Sequence, residues 1–199
     1  GRKSNGINLA ESEGKLVIPS SDTWIKLNSD QFGFFRVNYS PELWLELRSA
    51  VINKEISPVD RMGLADDLYA LTRAGVVPAT QLLSFLDAYR DENEYIVWAS
   101  IIGSLSDLEI LFEDEDRMMY RYHAFAREIV KNAAKRVGWH EEVCESENIK
   151  MLRPIVLGAY GHYGNLETIA RAREYFKGYC DGSITVNPDL RSMVCRLAA

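Results

Sequence analysis

The spacing of apolar residues changes once along the chain, near residue 40. Before it, short runs alternate with a period of two. In Thr23-Trp-Ile-Lys-Leu-Asn28, Trp24, Lys26 and Asn28 alternate with Ile25 and Leu27. In Gly33-Phe-Phe-Arg-Val-Asn-Tyr39, Phe35, Val37 and Tyr39 alternate with Phe34, Arg36 and Asn38. With Lys15-Leu-Val-Ile18 these runs predict three strands bounded by turn formers, and Asn28-Ser-Asp-Gln-Phe-Gly33 reads as a hairpin-like link. Three strands do not close a sandwich, so they are expected to lean on strands outside these 199 residues.

From Ser40 onward the period is about 3.6. Ser40-Pro41-Glu42 and Ser57-Pro58-Val59-Asp60 are helix starts: a Ser cap, a Pro that needs no amide donor, and an acid at the positive end of the helix dipole. Met62, Ala65, Tyr69 and Thr72 are expected on one face of the second helix, with Gly75 as its stop. Further helices are predicted over 79–90, 94–112, 117–137, 148–162 and 165–178, and another after Asn187-Pro188. Helix after helix without an intervening strand predicts a mainly α fold of irregular, HEAT-like or armadillo-like stacked hairpins. The predicted division is 1–40, the last strands of a β-sandwich domain, and 41–199, the first half of a helical domain.

Composition narrows the partners. Apolar residues make up 47% of the chain and the net charge is −6, with 29 acids against 23 Lys and Arg. An acidic chain without basic interleaving around its aromatics has no electrostatic footprint for nucleic acid or anionic membrane. By this reading no apolar run approaches the roughly 18–20 residues that span a bilayer, and no membrane contact is expected. Without an initiating Met, and opening on loop-like composition, the chain is expected to continue upstream. Cys144, Cys180 and Cys195 form an odd set with no C-x-x-C pair, which suits a reducing, cytoplasmic compartment. A Cys180–Cys195 bridge is the alternative in an oxidising one.

Candidate chemistry is sparse. His140-Glu141-Glu142-Val143-Cys144 opens like a zinc-protease helix but has Cys where the second His belongs, and it reads as an acidic helix start. His123 and His162 stand apart in sequence with no recognisable partner. Glu113–Asp116 lacks the Gly turn and distal Glu of a calcium loop, so it reads as a solvated interhelical loop. Gly158-Ala-Tyr-Gly161-His-Tyr-Gly164 ends a helix rather than following a strand, which makes close packing the better reading than a phosphate cradle. No catalytic and no metal-binding residue is expected.

Four blocks nevertheless carry a resemblance: Trp24-Ile-Lys-Leu-Asn28, Gly33-Phe-Phe-Arg-Val-Asn-Tyr39, Asp60-Arg-Met-Gly-Leu-Ala-Asp-Asp-Leu-Tyr-Ala-Leu71 and Asn187-Pro-Asp-Leu-Arg-Ser192. In this order they closely resemble the gluzincin zinc aminopeptidases of the aminopeptidase N and puromycin-sensitive type. The resemblance implies a large enzyme that removes N-terminal residues from peptides, with zinc held by the intact parent and none by these residues. The family's G-x-M-E-N and H-E-x-x-H elements are absent here, so this part is expected to be inactive by itself. Its implied partners are peptide substrates and an upstream catalytic domain of the same chain, over which the helical wall closes.

Within that resemblance Tyr89 and Arg90 match positions that, in the endoplasmic reticulum aminopeptidases, offer a Tyr and a basic residue to peptide C-termini. Against this stands a surface ion pair of Arg90 with Asp87 or Glu94. Arg36, Tyr39, Asp60 and Arg61 read as structural residues of the domain junction, with Asp60 a helix cap rather than a catalyst. The competing view of the whole chain is a stand-alone helical-repeat module that binds a protein partner without catalysis.

Overall fold

A computed structural model describes residues 13–14 and 24–199. Eight helices appear among the described residues: α1 (Pro41–Ile52), α2 (Pro58–Arg73), α3 (Ala79–Leu86), α4 (Tyr95–Glu109), α5 (Asp116–Val137), α6 (Glu147–His162), α7 (Leu166–Asp181) and α8 (Pro188–Ala198). Short 3₁₀ turns follow α3 (Asp87–Tyr89) and α4 (Ile110–Phe112). The starts are chemically explicit. Ser40 Oγ accepts from Leu43 N, Ser57 Oγ from Asp60 N, Ser146 Oγ from Ile149 N and Asn165 Oδ1 from Thr168 N. Pro stands at the first helical position of α1, α2 and α8, where its missing amide costs nothing.

Alternate helices touch in a row: α2 packs on α4, α4 on α6, and α6 on α8. Helix α5 packs chiefly on α6, and α7 on α8. The core runs along this row through Leu64 and Leu68, then Trp98, Ile101 and Leu105, then Leu152 and Val156, then Met193 and Val194, all buried. Removing such side chains from water supplies roughly 1.5–3 kcal/mol each. The α6–α8 contact is close because Gly161 has no side chain: a Cβ there would lie 2.5 Å from Leu197 Cδ1. This bears out the close-packing reading of the Gly158–Gly164 stretch.

Three expectations need correction. Residues 24–28 and 33–39 form no strand among the described residues; the run 15–18 lies outside them. Their backbone donors are taken up by side chains instead of a neighbouring strand. Asp30 N donates to Asp60 Oδ1 at 2.7 Å, Val37 N to Asp67 Oδ2 at 3.3 Å and Leu27 N to Tyr39 Oη at 3.1 Å. The expected hairpin link is a tight turn, with Asn28, Asp30 and Gln31 all at φ between 53 and 57° and Asn28 Oδ1 accepting from Gly33 N.

Second, residues 140–144 are not a helix start. They lie in the α5–α6 loop, and Cys144 has φ 66°. Third, Tyr95–Phe112 is long and apolar enough to cross a membrane by length and composition, with mean hydropathy 1.5 over 18 residues. Its face of Val97, Trp98, Ile101 and Leu105 is wholly buried against neighbouring helices, and Asp107 and Glu109 sit near its end. A core helix satisfies both observations. The three cysteines are free and exposed.

Candidate functional site

Polar groups converge where the N-terminal segment lies on α2. Asp60, at the third position of α2, receives Ser57 Oγ at 3.0 Å, Asp30 N at 2.7 Å and the Lys26 ammonium at 2.9 Å, in a nearly dry site. The cap itself is Ser57; Asp60 completes it and ties the preceding turn to the helix. Gly63 leaves room for that turn, since a Cβ there would fall 1.7 Å from Gln31 Nε2. Two turns into α2, buried Asp67 takes Arg36 Nη1 at 3.2 Å and Val37 N. Burial raises its carboxyl above the ordinary range, and the Arg36 and Val37 donors only partly offset this. Tyr39 is buried edge-on against Trp44, and desolvation pushes its phenol well up.

Beneath this layer Arg61 makes a forked pair with Glu92: Nε to Oε2 at 2.6 Å and Nη2 to Oε1 at 2.9 Å, both side chains almost fully buried. Arg61 Nη1 also donates to Ile56 O. Glu92 Oε1 in turn accepts from Asn93 N and Glu94 N, just ahead of α4. Burial alone would raise the Glu92 carboxyl, but the Arg61 guanidinium and the two backbone donors outweigh it and leave it lowered. Glu92 was missed by sequence reasoning. The only signal was its place among the polar residues before α4, which does not distinguish a buried carboxylate from a solvated one.

Tyr89 and Arg90 separate in space. Tyr89 is 1% exposed and donates its hydroxyl to Arg61 O at 2.7 Å, so its ring belongs to the core beside Phe85. That burial corrects the expectation of a peptide-facing Tyr. Arg90 is partly exposed; its Nε donates to Asp87 Oδ1 at 2.6 Å and its Nη1 to Glu128 O at 3.3 Å. Nε and Nη1 are thus both engaged while the group stays at the surface.

His140 and Glu141 border a cleft of about 310 Å³ with Trp139, Tyr175 and Asn187. Arg171 Nη2 lies 3.2 Å from His140 Nε2, and Glu141 contacts Lys150 and Asn187. A guanidinium against the imidazole and an irregular backbone remove the His-x₃-Cys face a metal would need.

His123 and His162, unpartnered on paper, meet at Glu109. His123 Nε2 is 2.5 Å from Glu109 Oε1 and His162 Nε2 is 2.8 Å from Oε2. The sequence separations of 14 and 53 residues hide this contact.

A family model described as ERAP1-like C-terminal domain matches residues 24–199. Aminopeptidase M1-A of Oryza sativa subsp. japonica is 36% identical over 173 residues, covering 85% of this chain and 20% of the relative. Aminopeptidase M1 of Arabidopsis thaliana is 32% identical over 198 residues, covering 95% and 22%. Glutamyl aminopeptidase of Sus scrofa is 28% identical over 196 residues, covering 98% and 20%. The chain therefore spans about a fifth of the length of the curated relatives it matches.

Proposed function

This chain belongs to the ERAP1-like C-terminal domain family, and from that premise we propose that it is the non-catalytic C-terminal part of a zinc metallo-aminopeptidase acting on peptides. The observation that carries the reading is the match over residues 24–199 to that domain, together with relatives that are themselves named aminopeptidases. Zinc and the hydrolytic step belong, in this reading, to an upstream catalytic domain. The four matched blocks contain no set that could perform it. What remains here is positioning: a wall that closes a peptide chamber and limits access to it.

The row α2–α4–α6–α8, with α5 and α7 packed on it, supports a stacked, HEAT-like arrangement of hairpins. A domain junction near residues 40 and 41 is supported by the irregular segment before Ser40 and the capped helix after it. Phe32, Phe34 and Phe35 are exposed on that segment, as a face that docks on a further domain would be. Three free cysteines support a reducing, cytoplasmic location.

Of Tyr89 and Arg90, only Arg90 presents an accessible group to a peptide: with Nε on Asp87 and Nη1 on Glu128 O, its Nη2 is the donor left to meet a C-terminal carboxylate. In the intact natural enzyme, Arg90→Ala should lower kcat/KM for long peptides by roughly 10–100-fold, the worth of a hydrogen bond to a charged group. Hydrolysis of a single-residue chromogenic substrate should not change. Equal effects on both would remove Arg90 from substrate binding. Separately, aminopeptidase turnover by the purified 199-residue chain would overturn the non-catalytic reading.

A further inference from the structure

We propose that Glu109, His123 and His162 form a two-histidine, one-carboxylate site for a first-row divalent metal, zinc foremost, that ties α4, α5 and α6 together. The three ligating atoms lie within 4.8 Å of one another and come from three different helices. Glu109 is the last residue of α4 and His162 the last of α6, while His123 projects from the first half of α5. Nε2 of each ring is turned to the same carboxylate: 2.5 Å from His123 to Oε1, and 2.8 and 3.1 Å from His162 to Oε2 and Oε1.

Convergence of two imidazole nitrogens and a carboxylate is a donor set that zinc and other first-row divalent ions accept, with the fourth position left to water. Hard ions such as magnesium or calcium take oxygen donors and are poorly served by it. Tetrahedral zinc, with bonds of about 2.0–2.1 Å, needs its donors roughly 3.3 Å apart. The contacts with Glu109 are shorter than that, so the ion would take the place of the bridging protons and move the carboxylate away from each imidazole by less than about 1 Å. Such movement is available. The His162 side chain is 53% exposed, and Glu109 lies where α4 gives way to a 3₁₀ turn.

The surroundings hold the rings in place. Tyr163 packs edge-on against both imidazoles, with centroids 5.5 Å from His123 and 5.0 Å from His162. Arg127, one turn beyond His123, commits Nη1 to Tyr163 O at 2.8 Å rather than to the carboxylate. Among the described residues no Lys or Arg side chain pairs with Glu109, and its carboxylate remains available to an ion.

The test is zinc titration of the chelator-stripped 199-residue chain by calorimetry, with cobalt(II) as an optical probe of geometry. One equivalent should bind, cobalt should give the intense d–d bands of a tetrahedral site, and the unfolding midpoint should rise. Glu109→Gln, which keeps the shape of the side chain, and His162→Gln should each weaken zinc by at least about tenfold, as even outer-sphere partners of a metal do. His140→Ala and Cys144→Ser should change nothing. Failure of the parent chain to bind at equimolar zinc would overturn the site, as would binding that survives Glu109→Gln together with His162→Gln. Should those variants not fold, nitrogen-15 spectra of the parent decide. Zinc should shift Nε2 of two histidines only, and unshifted rings would overturn the assignment.

Discussion

Arg61 and Glu92 illustrate how one buried pair sets both stability and its pH dependence. The folded-state carboxyl of Glu92 is lowered from its ordinary 4.5, burial being outweighed by Arg61 and two backbone donors. A lowered acid adds stability that is fully present above its unfolded pKa and is lost as pH falls through the folded one. The unfolding midpoint should thus decline as the pH drops below about 4.5. Glu92→Gln should cost about 3–5 kcal/mol at neutral pH, because it leaves the Arg61 guanidinium buried with only Ile56 O and a neutral amide. The gap between variant and parent should narrow toward pH 3. A constant gap across that range, measured by thermal unfolding, would refute the linkage. Asp67 acts in the opposite sense: burial raises its carboxyl, so acidification relieves rather than removes its contribution.

At the scale of elements, legibility followed locality. The Ser-Pro starts of α1 and α2 and the Asn-Pro start of α8 could be read from neighbouring residues because caps are made within three positions. The segment 24–39 could not. Alternation reports which residues are buried, and Val37 and Tyr39 are, but it does not report whether a neighbouring strand receives the amides. Here Asp60 and Asp67 of α2 receive them. The His123–Glu109–His162 contact was illegible for a similar reason, since it depends on how three helices stack. Arg36→Ala tests the docking of the segment on α2. It removes one partner from a carboxylate that is only 2% exposed, although the guanidinium itself is largely solvated. The expected loss is about 1 kcal/mol, small because solvent screens the Arg36 side of the pair. Exchange of the Val37 amide should quicken well beyond that of core amides in α4. Equal protection in variant and parent would mean that Asp67 holds the segment unaided.

For the whole molecule, the distribution of exposed apolar residues is uneven. Within four positions Phe32, Phe34 and Phe35 are 91, 110 and 56% exposed, while the aromatic chain Tyr39–Trp44–Phe85–Tyr89 beside them is buried. These exposed phenylalanines stand outside the helical core, to which the same segment contributes Val37, tied to α2 through Asp67, and Tyr39, packed on Trp44 of α1. Taken from water, each ring is worth roughly 1.5–3 kcal/mol, enough for three together to drive weak association between copies when no other domain covers them. The purified 199-residue chain should therefore self-associate reversibly at high concentration. Replacing Phe32, Phe34 and Phe35 by Ser should lower that tendency in sedimentation velocity without shifting the unfolding midpoint by more than about 0.5 kcal/mol equivalent, as surface changes do. A large loss of stability would instead assign these rings to the fold. Unaltered association would place the sticky face elsewhere, for example on α7, where Leu166 and Tyr179 are also exposed.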